Sequence, residues 1–172
     1  AWGGKSLVRD FRSPSAGMPS EEKLEKEFEQ LKKNRAKRNQ PEPTMDEVQA
    51  AYGHFYRSML EEIQTSMREC SKRFPQLKGR KPVIEGFVWF QGWNDQYNGG
   101  ELEYGENLAH FVRDVRRDLK TPELPVVIAA MGQHGSKPVK GAMKAIQEAQ
   151  LAIAKQKEFR GNVASIRTDD LV

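Results

Sequence analysis

Cysteine is almost absent from these 172 residues. Cys70 stands alone, so no internal disulfide can form, and cysteine usage leaves the redox compartment open. Histidine is scarce as well. His54, His110 and His134 show no metal-ligand spacing with one another or with Cys70, which argues against a bound metal, and nothing points to a cofactor. No apolar run approaches the roughly 20 residues of a membrane-spanning helix, and no signal-peptide pattern is visible. No serine sits in a G-x-S-x-G elbow, and none has an acid and a histidine arranged by a local signature. Ser6, after the glycine turn of "GGKSL", is a poor nucleophile on these grounds. A triad is not legible, and there is no internal repeat.

The composition is polar for a globular chain, with 37% hydrophobic and 30% charged residues, so part of the chain is expected to be a solvated helical excursion. The formal charge of +4 is concentrated in "KKNRAKR" at 32–38 and describes that segment rather than the whole fold. A solvated helix face is the plain reading of this run, and a nucleic-acid patch is its rival. We expect neither a nucleic-acid nor a membrane partner. The oligomeric state is not legible.

Periodicity supplies the organisation. Residues 1–17 read as a glycine turn followed by irregular loop. Ser20 caps a charged helix with Glu21 and Glu22 in its first turn, which ends before the two prolines of "NQPEPT" at 39–44. Residues 18–50 are expected to be a charged helical insertion within one domain spanning 1–172, and because the apolar stripe Leu24, Phe28, Leu31 is thin, its residues 20–42 are expected to be dispensable. Thr44 and Glu47 form a capping box, and the three-and-four spacing of Val48, Tyr52, Phe55, Met59, Ile63 and Met67 predicts one long helix over 45–72.

Apolar runs at 82–90, 124–131 and 162–167 predict strands, and stripes at 106–119 and 139–157 predict helices, the last entered through Ser136 and Pro138. Strand and helix in alternation imply βαβ units. The expected fold is α/β, a three-layer α/β/α arrangement of flavodoxin-like type with a parallel sheet and helices on its faces.

Ligands of such sheets bind outside the carboxyl ends of the strands. Three segments should meet there: Gly3-Gly4, the corner of "GFVWFQGWND" at 86–95, and "GQHGS" at 132–136. Gly3 and Gly4 let backbone approach a ligand. Gln91 and Asn94 carry neutral amide donors, which at a strand end can stabilise charge developing on a carbonyl oxygen. Plainer readings stand beside these. Asn94-Asp95 fits an Asx turn, Trp89 and Phe90 fit a core, and His134 fits a surface loop. Trp93 lies beyond the strand end and is open to either role.

The corner, together with "AWGGKSL" and "RDVRRDLKTPELPVVIAAMG", resembles the sialate O-acetylesterase family of the SGNH hydrolases, over residues 1–14 and 52–172. That family has a glycine in a second block and a Gly-x-Asn-Asp-like third block, matched here by Gly3-Gly4 and Gly92-Trp93-Asn94-Asp95. Its esterase branch often precedes the third block with Trp-x-Gln, as in Trp89-Phe90-Gln91. The resemblance implies an oxyanion hole of Gly4 backbone with Gln91 or Asn94, a substrate wall of Gly3, Trp93 and Asp95, and an acetylated carbohydrate as partner. It also implies a bacterial exported or periplasmic enzyme.

The chain departs from the family at two places. The family's serine lies in a Gly-Gln-Ser-Asn-like block before the glycine turn, and its Asp-x-x-His pair lies near the C-terminus. Neither is found here, and no histidine follows Asp169 and Asp170. The resemblance therefore implies a central piece of a metal-free serine carbohydrate O-acetylesterase, inactive by itself. The rival is a carbohydrate-binding module using Trp93, Tyr97 and Tyr104.

Overall fold

Phe87, Trp89, Val126, Ile128, Ala130 and Val163 alternate along three short segments and point the same way, into one core. In the computed structural model, which describes residues 2–132, 135 and 137–169, these segments are β1 (Phe87–Trp89), β2 (Val126–Ala130) and β3 (Val163–Arg167). All pairs are parallel, in the order β1-β2-β3, with Phe87 beside Val126 and Val126 beside Val163. β-Branched and aromatic residues dominate them because such side chains pack well on a pleated surface. The α/β class with a parallel sheet is thus as expected.

Five α-helices accompany the sheet among the described residues: α1 (Glu21–Ala36), α2 (Met45–Ala51), α3 (His54–Arg73), α4 (Gly100–Asp118) and α5 (Gly141–Ala152). Tyr56 and Met59 of α3, Leu108, Phe111, Val112 and Val115 of α4, and Met143 and Ile146 of α5 share one hydrophobic cluster with the strands. Phe111 is its centre, in ring contact with Phe11, Tyr56, Phe87 and Trp89. The layers are distributed unevenly. The sheet's other face carries Val88, Ala164 and Ile166, which are exposed, with Val127 and Ala129 half-buried, so no described helix covers it.

The helix expected over 139–157 spans only Gly141–Ala152, and three further boundaries differ from expectation. Only 87–89 of the run 82–90 pairs as a strand, and Val83 is largely exposed before it. The stripe over 45–72 is two helices, because the Gly53 and Phe55 N–H groups leave the helix ladder and donate to the Arg9 and Asp10 carbonyls at 2.8 and 2.9 Å. Helix α4 starts six residues before 106, right after the corner, so corner and helix form one continuous turn of chain.

The charged segment is better anchored than its thin stripe suggests. Leu24 is buried with Val48 and Tyr52 in a small second core, flanked by Phe28, Leu31 and Met45. Glu27 accepts the Tyr52 hydroxyl and the Arg9 guanidinium. Glu103 of α4 accepts Lys23 at 2.6 Å and Arg12 at 2.9 Å. Ion pairs to the main body were invisible to helical periodicity, since their partners lie on other segments. The expectation of a surface insertion rested on the thin apolar stripe and on the resemblance skipping this segment, and neither carries these contacts.

Candidate active site

The corner begins where β1 ends. Gly92 is pressed into the core there: a Cβ at this position would stand 2.7 Å from Met131 Sδ and 2.9 Å from Gln150 Nε2. Only a residue without a side chain lets β1 turn so close to the end of β2. Gln150 of α5, fully buried, holds the two strand ends together. Its Oε1 accepts the Met131 N–H at 3.0 Å, and its Nε2 donates to the Gln91 carbonyl at 2.7 Å and to the Tyr104 hydroxyl at 3.0 Å. Gln147 donates to the Met131 carbonyl. The Gln150 carbonyl accepts the Ser165 hydroxyl, so one residue bonds β3 and the residues just past the ends of β1 and β2. Polar backbone left over at the ends of a buried sheet needs such partners.

Beyond Gly92 the chain makes a single 3₁₀ turn, Trp93–Gln96. The turn aims its side chains in opposite directions. Asn94 Nδ2 donates outward to the Gly4 carbonyl at 2.5 Å. Asp95 points inward and is fully buried; its carboxylate accepts the Leu7 N–H (2.9 Å), the Val8 N–H (2.9 Å) and Gln91 Nε2 (2.6 Å). Burial raises the Asp95 carboxyl above its ordinary value, and the bonds from Val8, Gln91 and Leu7 oppose that rise without cancelling it.

These contacts bring the glycine turn and the corner side by side at the carboxyl end of the sheet. Between them lies a cleft of about 230 Å³, lined by Trp2, Gly3, Gly4, Lys5, Phe90, Gln91, Gly92, Trp93, Asn94 and Met131. Gly4 has a φ of +70°, a left-handed conformation that glycine adopts at little cost. Its N–H has no acceptor among the described residues.

The geometry separates the two amides that the sequence left equivalent. Gln91 has spent both amide hydrogens, one on the Lys5 carbonyl at 2.7 Å and one on Asp95. Turning its amide over would set oxygen against two acceptors, so this orientation is fixed. Asn94 uses one amide hydrogen on Gly4, and its second has no acceptor among the described residues.

Of the residues expected at the site, Gly3, Gly4, Gln91, Trp93 and Asn94 line the cleft. Asp95 does not. Expected as part of the substrate wall, it is fully buried with its carboxylate occupied, because the 3₁₀ turn rotates it into the core. Tyr104, suggested as a sugar platform, is also fully buried and donates to the Gln91 carbonyl at 2.7 Å. Phe90, expected in the core, is 63% exposed and forms part of the cleft wall, since β1 ends at Trp89 and the alternation turns it outward. Ser6 is buried and bonds Asp10 through both its N–H and its hydroxyl. His134 and Ser136 lie outside the described residues.

Three contributors carried no readable signal: Trp2 and Lys5 on the cleft wall, and Gln150 beneath it. Trp2 adjoins the glycine turn, and that adjacency was the one available hint. Lys5 Nζ rests 4.3 Å above the Phe55 ring and has no carboxylate partner among the described residues. No serine, histidine or acidic residue lines the cleft among the described residues, and no group of three His, Cys, Asp or Glu among them could hold a metal.

A family model for carbohydrate esterases, the sialic acid-specific acetylesterases, matches residues 39–172, which includes the corner and all three strands. A probable carbohydrate esterase of Arabidopsis thaliana is 28% identical over 101 residues, 58% of this chain and 33% of its own. The X-ray structure of an Arabidopsis thaliana protein is similar with a TM-score of 0.49 at 25% identity, covering 67% of this chain and 40% of that one. The chain thus spans about a third of the length of the curated relative it matches. With 39–172 matched, most of its length, the chain belongs to the sialic acid-specific acetylesterase family of carbohydrate esterases.

Proposed function

We propose that this chain supplies the oxyanion-binding wall of a serine-dependent carbohydrate O-acetylesterase, and that acetylated sialic acids are its substrates. One observation carries the reading. Among the described residues, the second Asn94 amide hydrogen and the Gly4 N–H have no acceptor, and both residues line one cleft at the carboxyl end of a parallel sheet. In this reading the two neutral donors address one point, where they bind a tetrahedral oxyanion more strongly than a planar carbonyl. Asn94 is the side-chain donor in this reading and Gln91 is not, since its hydrogens are committed.

The nucleophilic serine and its histidine–acid pair come from polypeptide outside the described residues, in keeping with a relative of which the matched 101 residues make up only 33%. Acyl transfer from the sugar hydroxyl to that serine, then to water, completes the turnover. Trp93 and Phe90 offer apolar wall to a sugar ring. Lys5 favours a substrate bearing a carboxylate: it is the only charged side chain lining the cleft among the described residues, and a sialic acid supplies its partner.

The test is steady-state hydrolysis of an O-acetylated sialic acid by the full-length protein. Asn94→Ala should lower kcat by roughly 10²–10³ with little change in KM. A wild-type kcat retained by Asn94→Ala would remove the oxyanion role, and the absence of any acetyl-ester hydrolysis by the unmodified protein would remove the esterase reading.

A further inference from the structure

Asp95 is a carboxylate without solvent, inside a corner whose neighbours face a cleft. A buried carboxylate is costly unless each oxygen is bonded, and this one collects three donors from two separate segments. Two come from Leu7 and Val8, at the start of the turn that follows Gly3-Gly4. The third is Gln91, whose other hydrogen returns to Lys5 in the same glycine segment. Asp95 and Gln91 together thus clamp residues 5–8 onto the end of β1. The next residue along, Asn94, meets the Gly4 carbonyl on the outer side of the same joint.

The geometry points to Asp95 as the positioning residue of the oxyanion site: its carboxylate fixes the glycine segment against the strand-end corner, so that the Gly4 N–H and the Asn94 amide address one point. This rests on the esterase reading above, and concerns how the donors are held rather than whether they act. The alternative is that Asp95 only stabilises the fold. A fold-only role would lower the amount of active enzyme without changing what each molecule does. A positioning role changes kcat per folded molecule, because donors displaced by about 1 Å stabilise the transition state far less, at a cost of about 10²-fold.

The experiment compares kcat and KM of the full-length protein with Asp95→Asn, Asn94→Ala and the double variant, normalised to folded protein by circular dichroism. We expect Asp95→Asn to lose about 10²-fold in kcat at nearly constant KM. In the Asn94→Ala background the same change should add no more than roughly twofold, since the donor it positions is already gone. An unchanged kcat, or losses that multiply fully in the double variant, would overturn the proposal. If the unmodified protein hydrolyses no acetyl ester, or if Asp95→Asn does not fold, amide hydrogen exchange of the unmodified full-length protein decides. Protection of Leu7 and Val8 comparable to the β2 amides supports the clamp, and exchange as fast as an exposed loop overturns it.

Discussion

From inside the core, the Tyr104 hydroxyl donates to the carbonyl oxygen of Gln91, 2.7 Å away, two residues past Trp89, the last core position of β1. The same carbonyl also accepts Gln150 Nε2. Two buried side chains from two helices therefore hold one backbone atom at the root of the cleft.

Tyr104→Phe removes one of two donors to that carbonyl and should cost about 1 kcal/mol of stability. Gln150→Leu should cost more, about 1–3 kcal/mol for each buried group it strands, because the Met131 N–H loses its acceptor as well. Urea unfolding of the full-length protein checks the order. Equal costs for the two variants would mean that water reaches the strand ends.

Lys5→Gln should weaken binding of an acetylated sialic acid several-fold, as expected for losing one partly solvated charge contact of about 0.5–1 kcal/mol. Hydrolysis of a neutral acetylated sugar should be unaffected. Parallel KM values for the two substrates, with wild type and variant, decide the matter. An equal rise for both would assign Lys5 to the shape of the cleft rather than to charge recognition.

Glu103 joins α1 to α4. Burial pushes its carboxyl up, but the bonds and charges of Lys23 and Arg12 more than reverse this, leaving it below its ordinary 4.5. A carboxylate lowered by folding contributes stability above pH 4.5 that is lost as the pH falls through its lower folded value. Asp95 runs the other way, since folding raises it, so its ionisation detracts from stability as pH rises through that raised value. The difference between wild type and Glu103→Gln isolates the first effect. The variant should be less stable at neutral pH, and the gap should close below pH 4.5. A gap independent of pH would show that Glu103 contributes by packing alone.

Periodicity and turn chemistry determined a good deal. The apolar runs of β2 and β3, the stripe of α4 and the Thr44–Glu47 capping box are local patterns, and local patterns are written in consecutive residues. The gathering of Gly3-Gly4 with 91–94 was legible too, because strand ends of a parallel sheet share one side. What the sequence could not decide was direction. Whether Asn94 or Asp95 faces the cleft depends on one 3₁₀ turn, and rotation about that turn exchanges a donor at the surface for a clamp in the core. Gln91 and Asn94 are chemically alike, and only their partners 86 and 90 residues away distinguish them. The break at Gly53 follows the same rule, since it is drawn by carbonyls of Arg9 and Asp10 that no window of helical period contains. Hydrogen-bond partners distant in sequence exist only after the chain has folded, so a spent amide and a free one look identical until then.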